Sequence, residues 1–286
     1  MKYIGAHINR NTTIVKTIKD ISNNGGNALQ IFVSNPRDSK FPDIEKYIKE
    51  KDDILTYCSN NNFKLIVHGS YTINLANDKI NKRITDINDR YWIELLIKEL
   101  EVCELLNAIG VVIHVGKHTT NTYDKGLENM FDSIKYIINH LQVKYENKFN
   151  SKLIIETPAG VGTELIKDVD EFLNFYNKFT LKDKKNLGIC LDTAHIWSSG
   201  YNINDYYKKI KKNNIKDIVV IHYNNSKLEK GSLVDRHECI FDGKIKIEDM
   251  KKFISDLELN PIIILEKPSN LLNKELDWIK STLDFI

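Results

Sequence analysis

The sequence lacks the long apolar segments that mark membrane or secreted proteins. A membrane-spanning helix needs roughly 18 apolar residues. The longest apolar stretches here are short runs such as residues 261–265. The N-terminus reaches His7 and Arg10 before a secretory apolar core of about 7 residues could form. We therefore expect an intracellular protein without a membrane partner, in the cytoplasm, the nucleus or a viral factory according to its source.

Cysteine, proline and glycine are scarce, and the charge is nearly balanced. The four cysteines lie far apart with no C-x-x-C pair, so we expect reduced thiols and neither a disulfide framework nor a zinc finger. With 13 Gly, 5 Pro, 42% apolar and 28% charged residues, collagen-like, disordered and coiled-coil classes are excluded. The formal charge of +2 is no strong signal for nucleic acid, so any DNA binding must come from a local patch.

Eight short apolar runs alternate with longer amphipathic stretches, which is the pattern of repeated βα units. The runs are residues 3–8, 28–33, 64–68, 111–115, 152–157, 187–193, 217–223 and 261–267. Helices are predicted between them, over residues 89–106, 123–140, 168–179 and 247–257. Continuous hydrophobicity indicates strands covered on both faces, as in a parallel sheet. The sequence predicts one α/β domain over residues 1–286, a (β/α)8 TIM barrel, with a doubly wound open sheet as the alternative.

Six consecutive runs end on a side chain that can bind metal. In a parallel barrel all C-terminal strand ends open onto one face, so residues far apart in sequence converge there. The six are His68, His114, Glu156, Asp192, His222 and Glu266. Two short spacings add His195, three residues after Asp192, and the pair Asp235 and His237 on one side of an extended segment.

Each of these residues alone is weak evidence for a metal. A single His or Glu after an apolar run is more often a solvent-facing residue, and Asp192 in Asp-x-x-His equally predicts a helix N-cap. The conjunction favours a metal centre, because five His and four carboxylates exceed what one or two cations need. Nitrogen and oxygen ligands suit zinc, with manganese or iron as alternatives, and three ions suit phosphoester hydrolysis.

Five segments together resemble the endonuclease IV family of apurinic/apyrimidinic endonucleases. They are residues 67–76 (VHGSYTINLA), 155–160 (IETPAG), 190–195 (CLDTAH) with 199–201 (SGY), 222–227 (HYNNSK) and 235–237 (DRH). The resemblance covers almost the whole chain. It implies three Zn²⁺ per chain and a base-excision-repair enzyme that hydrolyses double-stranded DNA 5′ of an abasic site, leaving a 3′-hydroxyl and a 5′-deoxyribose phosphate. We also expect a monomer.

The resemblance assigns roles that the spacing leaves open. It implies three ligand sets: His68, His114 and Glu156; Glu156, Asp192, His222 and Glu266; and His195, Asp235 and His237. Glu156 and Glu266 would be the catalytic carboxylates nearest the attacking hydroxide. Arg37 and Tyr71 would enter the DNA at the abasic gap, where a base-less nucleotide has no stacking or pairing to lose. Without the resemblance, Arg37 is interpreted as a surface cation and Tyr71 as a half-buried packing residue.

The sequence departs from the family pattern at three positions outside the ligand set. Asn225 stands where the family usually has Asp, Val161 where Gln is usual, and Phe241 where Gly is usual. These changes leave the predicted ligands intact. They leave open the supporting hydrogen bonds and the phosphate contacts of the loops after the fifth and seventh strands.

Two other functions stay open. A sugar isomerase or epimerase on the related xylose-isomerase-like barrel also gathers His and carboxylates, but typically around one or two ions. A count of metal ions per chain separates it from a three-zinc endonuclease. A non-catalytic lesion binder would bind an abasic duplex without cutting it.

Overall fold

The computed structural model describes residues 2–77, 90–266 and 271–284. Ten strands lie in this part of the chain: β1 Ile4–His7, β2 Ala28–Phe32, β3 Lys64–His68, β4 Gly110–Ile113, β5 Lys152–Glu156, β6 Leu187–Asp192, β7 Ile218–His222, β8 Asn225–Ser226, β9 His237–Glu238 and β10 Ile262–Leu265. Eight of them form a closed barrel in the order β1-β10-β7-β6-β5-β4-β3-β2, and β8 pairs with β9 outside it.

Helices follow the barrel strands along the chain. They are α1 Ile14–Asn23, α2 Ile44–Asn60, α3 Tyr91–Leu105, α4 Tyr123–Lys144, α5 Val169–Asn177, α6 Leu181–Lys184, α7 Thr193–Ser198, α8 Ile203–Lys212, α9 Ile247–Ser255 and α10 Leu272–Asp284. Threonine N-caps begin several of them; the Thr13 and Thr122 side chains accept hydrogen bonds from the backbone N–H of Lys16 and Lys125. Among the described residues, no helix combines the length and apolar character needed to cross a bilayer.

The predicted (β/α)8 barrel is confirmed. All eight barrel pairings are parallel, and β1 pairs with both β2 and β10, so the sheet closes and the doubly wound alternative is wrong. Every predicted run coincides with or overlaps a strand, and no end differs by more than two residues. Asp89 and Lys267, at the limits of a predicted helix and a predicted strand, lie outside the described residues.

Side-chain alternation along each strand places the predicted ligands at the mouth of the barrel. A separate apolar cluster is formed by Ala28, Ile66, Val112, Ile154, Cys190, Val220, Ile262 and Ile264. Successive side chains of a strand point to opposite faces, so a residue two positions further on points to the same side as a cluster member. Six cluster members are followed at that distance by a predicted ligand: His68, His114, Glu156, Asp192, His222 and Glu266. An apolar layer therefore closes the barrel directly beneath the polar residues.

Candidate metal centre

The six strand-end side chains meet around Glu156, which is 1% exposed at the end of β5. Its Oε1 lies 2.6 Å from Nδ1 of His222, and its Oε2 lies 3.5 Å from Nε2 of His114 and 4.0 Å from Nε2 of His68. Glu266, directly after β10, brings its Oε2 to 3.2 Å from Nδ1 of His222. The residues that end neighbouring strands thus form one continuous cluster.

The segments after β6 and β7 bring the remaining predicted ligands to the same place: His195 lies on α7, Asp235 precedes β9 and His237 begins β9. Nε2 of His195 lies 3.3 Å from Oδ2 of Asp235, and Nε2 of His237 lies 3.1 Å from Oδ1 of the same carboxylate. His195 is held by its other ring nitrogen, which lies 2.9 Å from the carbonyl oxygen of Thr157. Asp235 and His237 therefore lie on one side of their segment, as their spacing predicts.

Asp192 combines the two roles that the sequence presents as alternatives. Its Oδ1 accepts a 2.7 Å hydrogen bond from the backbone N–H of His195 and so caps α7. Its Oδ2 faces the cluster, 3.6 Å from Nε2 of His237 and 3.8 Å from Nδ1 of His222. Because a carboxylate has two oxygens, capping the helix leaves one of them to serve as a ligand.

Ligand atoms within 4.8 Å of one another form groups that resemble the predicted sets. The groups are His68, His114 and Glu156; Glu156, Asp192, His222 and Glu266; Asp192, His195 and His237; and Glu156, Cys190 and His222. The first two coincide with predicted sets. In the third, Asp192 takes the place predicted for Asp235, although Asp235 lies against both histidines of that group. The fourth adds Cys190 from the apolar layer below.

Several buried atoms of the cluster fit a bound cation better than they fit an empty protein interior. Oε2 of Glu156, Nε2 of His195 and Nε2 of His237 are buried and make no well-aligned hydrogen bond in the described part of the chain, although Asp235 oxygens lie 3.3 Å and 3.1 Å from the two histidine nitrogens. A buried polar atom without a partner is costly unless a metal or another group satisfies it. These imidazole nitrogens and carboxylate oxygens are donors that zinc prefers.

The shifted pKa values of the cluster also favour a bound cation. Burial raises the pKa of the Glu156 carboxyl, but the opposing effect of His222, His114 and His195 is larger, and the pKa falls below its usual value to about 2. Burial lowers the pKa of His195, yet the neighbouring carboxylates of Asp192 and Glu156 raise it well above its usual value. For His68 burial dominates and lowers the pKa to about 3, so this imidazole is neutral and free to ligate. Without a metal, the ionised carboxylates keep protons on neighbouring histidines. Divalent cations can take the place of those protons and neutralise the carboxylates.

Two amide side chains that the sequence analysis missed support these ligands. Asn224 donates from Nδ2 to Oδ2 of Asp192 (2.7 Å), and its Oδ1 accepts from the backbone N–H of Glu266 (2.8 Å). Gln30 on β2 contacts His222 and Glu266. Asn224 lies in the segment HYNNSK, and Gln30 interrupts the apolar run 28–33, which is the signal that marks it.

A cleft of about 480 Å³ opens above the cluster, and Tyr71 stands at its rim. Tyr71 is 56% exposed, so close to half of its surface is covered, which fits a half-buried residue as well as one that can reach DNA. Its ring lies edge-on to His68 and His114, with centroids 5.5 and 5.7 Å away. Arg37 is exposed on the loop after β2, and a hydrogen bond from the Tyr71 amide to the Pro36 carbonyl (3.0 Å) joins the two loops.

A buried carboxylate fastens the same two loops from beneath. Glu99 on α3 is fully buried and accepts hydrogen bonds from the Ser34 hydroxyl and the Ser70 amide. Burial raises the pKa of Glu99 to about 7, and these hydrogen bonds lower it only in part. The ionised form is therefore disfavoured in the fold relative to the unfolded chain, where the pKa is 4.5.

Replacement of Glu99 by Gln tests the raised pKa of Glu99 through the pH dependence of the free energy of unfolding. As the pH rises from 4.5 through 7, the unfolded chain releases the proton first, so the wild type loses stability that the variant keeps. We expect the wild type to lose about 2 kcal/mol of unfolding free energy relative to Glu99→Gln between pH 5 and pH 8. Guanidinium denaturation at both pH values measures it. A constant difference between the two proteins would contradict the raised pKa.

Comparison with known proteins decides the family. A family model described as the xylose isomerase-like TIM barrel matches residues 18–282. The probable endonuclease 4 of Mycoplasmopsis pulmonis (strain UAB CTIP) is 33% identical over 275 residues, covering 93% of this chain and 92% of the relative. The chain belongs to the endonuclease IV family. The resemblance stated from the sequence motifs is thereby confirmed.

Solved structures support the fold of this endonuclease IV family member. Endonuclease IV from Thermus thermophilus superimposes with a TM-score of 0.75 at 20% identity, covering 100% of both chains. A structure of the IOLI protein with a binding zinc atom superimposes with a TM-score of 0.66 at 15% identity, covering 100% of this chain and 96% of that one. At these identities the likeness establishes the barrel alone.

Two of the three departures from the endonuclease IV pattern have local structural roles. The buried Asn225 amide donates to the carbonyls of Ile240 (2.8 Å) and Ile245 (2.9 Å), which an Asp could not do. Phe241 packs edge-on against Trp278, with ring centroids 5.9 Å apart. Val161 donates only its backbone N–H to Glu164, as any residue there would, and nothing in the structure explains its side chain. The structure joins none of the four cysteines in a disulfide.

Proposed function

We propose that this member of the endonuclease IV family, a DNA-cleaving hydrolase of the AP endonuclease type, incises double-stranded DNA 5′ of an abasic site in base excision repair. The expected products are a 3′-hydroxyl and a 5′-deoxyribose phosphate. The observation that carries the proposal is the convergence of histidines and carboxylates from six barrel strands at the floor of one cleft. Names of relatives such as probable endonuclease 4 support it.

We further propose three zinc ions per chain. The ligand sets are His68, His114 and Glu156; Glu156, Asp192, His222 and Glu266; and His195, Asp235 and His237. Zinc supplies a nucleophile at neutral pH by acidifying water and neutralises charge on the phosphate oxygens. Oε2 of Glu156 and the Nε2 atoms of His195 and His237, which are buried without a well-aligned hydrogen bond, support these assignments.

The two carboxylates proposed as catalytic differ in their exposure. Glu266 lines the cleft with a side chain that is 10% exposed, whereas Glu156 lies below it and is 1% exposed. His222, despite the opposing effect of burial, lowers the pKa of both carboxyls, so both are ionised at neutral pH. In that form they accept protons only, and they orient a water molecule at the scissile phosphate through hydrogen bonds.

Incision of a labelled duplex tests the proposal directly. The duplex carries one tetrahydrofuran abasic analogue, and an identical undamaged duplex is the control. We expect a single cut 5′ of the analogue and a fragment with a 3′-hydroxyl that a polymerase extends. Binding without cutting would instead support a lesion binder. Neither binding nor cutting, together with two metal ions or fewer per chain, would favour a sugar isomerase or epimerase.

Replacement of Tyr71 by Ala tests the proposed contact with DNA. Stacking of an aromatic ring on a base is worth about 1–3 kcal/mol, so we expect KM for the abasic duplex to rise roughly 10- to 100-fold. Zinc content should not change. Tyr71→Phe is the matched control, because it keeps the ring and should keep most of the affinity. Equal KM values for the Ala variant and the wild type would exclude Tyr71 from recognition; Arg37→Ala tests the second proposed contact in the same assay.

We also propose that residues 1–286 form a single barrel domain that acts as a monomer. The pairing of β1 with β10 joins the two ends of the described chain within one sheet, which supports the single domain. Light scattering of the purified protein tests the monomer. The intracellular location stays a prediction from the N-terminal sequence.

A further inference from the structure

Gln30 occupies an unusual place in the barrel. It is fully buried on β2, two residues after Ala28 of the interior apolar cluster, and so points to the side on which the ligands lie. β1 and β2 are the two barrel strands that end without a predicted ligand. The register pairs Gln30 with His7 of β1, so an imidazole and an amide complete the polar layer where no ligand is predicted.

The amide of Gln30 connects two of the proposed zinc ligands. Its Oε1 accepts from Nε2 of His222 at 2.9 Å, and its Nε2 donates to Oε1 of Glu266 at 2.9 Å. The same Nε2 lies 3.1 Å from Nδ1 of His7. The opposite amide orientation would set its oxygen against the carboxylate oxygen of Glu266, so the orientation is determined by charge.

This contact decides which nitrogen of His222 faces the cluster as a ligand. A neutral imidazole carries one proton, and the oxygen of Gln30 can only accept, so the proton lies on Nε2. Nδ1 lies on the side of the ring where Glu156 (2.6 Å) and Glu266 (3.2 Å) lie; it donates to Glu156 in the structure, and in the neutral ring of the zinc-loaded protein its lone pair would face the cation. That is the form of histidine that binds a metal, with its second nitrogen held by a neighbouring group.

We propose that Gln30 is a positioning residue that fixes the Nε2-protonated form of His222 and the orientation of Glu266. Both residues belong to the ligand set that also contains Glu156 and Asp192. The inference rests on the proposed three-zinc centre. The two replacements tested below cannot do both tasks: Glu lacks the donor and adds a negative charge beside Glu266, and Met has neither an N–H donor nor a carbonyl acceptor.

The experiment compares zinc affinity in Gln30→Met, Gln30→Glu and wild type by competition with a chromophoric chelator. Supporting residues of this kind change metal affinity by about 10- to 100-fold, so we expect that loss for at least one zinc in both Gln30 variants. Gln142→Met is the matched control. Gln142 donates to Asn186 and to the Phe149 carbonyl before β5, at the opposite end of the barrel, and its replacement should leave zinc affinity unchanged.

A spectroscopic readout keeps the proposal testable even if a Gln30 variant does not fold. Long-range ¹H–¹⁵N spectra of the zinc-loaded wild type should show the His222 proton on Nε2, slow to exchange with water. A proton on Nδ1, or zinc affinities within twofold of wild type in Gln30→Met, would overturn the role of Gln30. Wild type that binds zinc but leaves abasic DNA intact would overturn the proposed function alone, since the affinity comparison needs no DNA.

Discussion

Glu266→Gln is expected to slow incision of an abasic duplex by about 10³-fold while the barrel remains folded. Glu266 lines the cleft, and its carboxylate lies within 4 Å of nitrogens of His68, His222 and His237. Gln keeps the shape of the side chain but removes the negative charge and the ability to accept a proton. Single-turnover incision of the tetrahydrofuran duplex measures the loss, and circular dichroism verifies the fold.

Glu104→Gln provides the matched control for this loss. Glu104 accepts hydrogen bonds from the backbone N–H groups of Asn150 and Ser151, at the N-terminal end of β5 and away from the cleft. The same chemical change there should leave the incision rate unchanged. If Glu266→Gln retains the wild-type rate, Glu266 has no part in the mechanism.

Removal of zinc is expected to abolish incision and to destabilise the fold. Without cations, the buried carboxylates of Glu156 and Asp192 and the 10% exposed carboxylate of Glu266 lose their neutralising charge. Zinc at about 1,000 times its Kd stabilises a folded protein by about 4 kcal/mol, which for a chain of this size is roughly 10 °C in Tm. Calorimetry and incision assays before and after chelation measure both effects.

Zinc added back should restore the rate and the Tm, whereas magnesium should restore neither, because the site offers several imidazole nitrogens. A stripped protein that still cuts abasic DNA at the wild-type rate would exclude zinc from the reaction.

The parts of the site that could be predicted from the sequence follow from one property of strands. An apolar run that ends on a single His, Glu or Asp places that residue on the same side as the interior residue two positions earlier. β3, β5, β6 and β7 end at the predicted ligands His68, Glu156, Asp192 and His222. Once the runs are assigned to a closed parallel barrel, the convergence of these residues needs no knowledge of side-chain contacts.

The supporting residues could not be predicted for an equally physical reason. Gln30 forms hydrogen bonds with His222 and Glu266, which lie 192 and 236 positions further along the chain, so no local pattern reveals these partners. Glu99 on α3 looks like any charge on an amphipathic helix until its burial beneath Ser34 and Ser70 is known. The two oxygens of Asp192 show a further limit, because spacing presented cap and ligand as alternatives that one carboxylate combines.

Anomalous diffraction at the zinc absorption edge, on crystals of protein purified with zinc, tests the central claim most directly. We predict three zinc ions within bonding distance of the nine side chains, with Glu156 shared between two of them. Two peaks or fewer, or peaks away from these residues, would contradict the account.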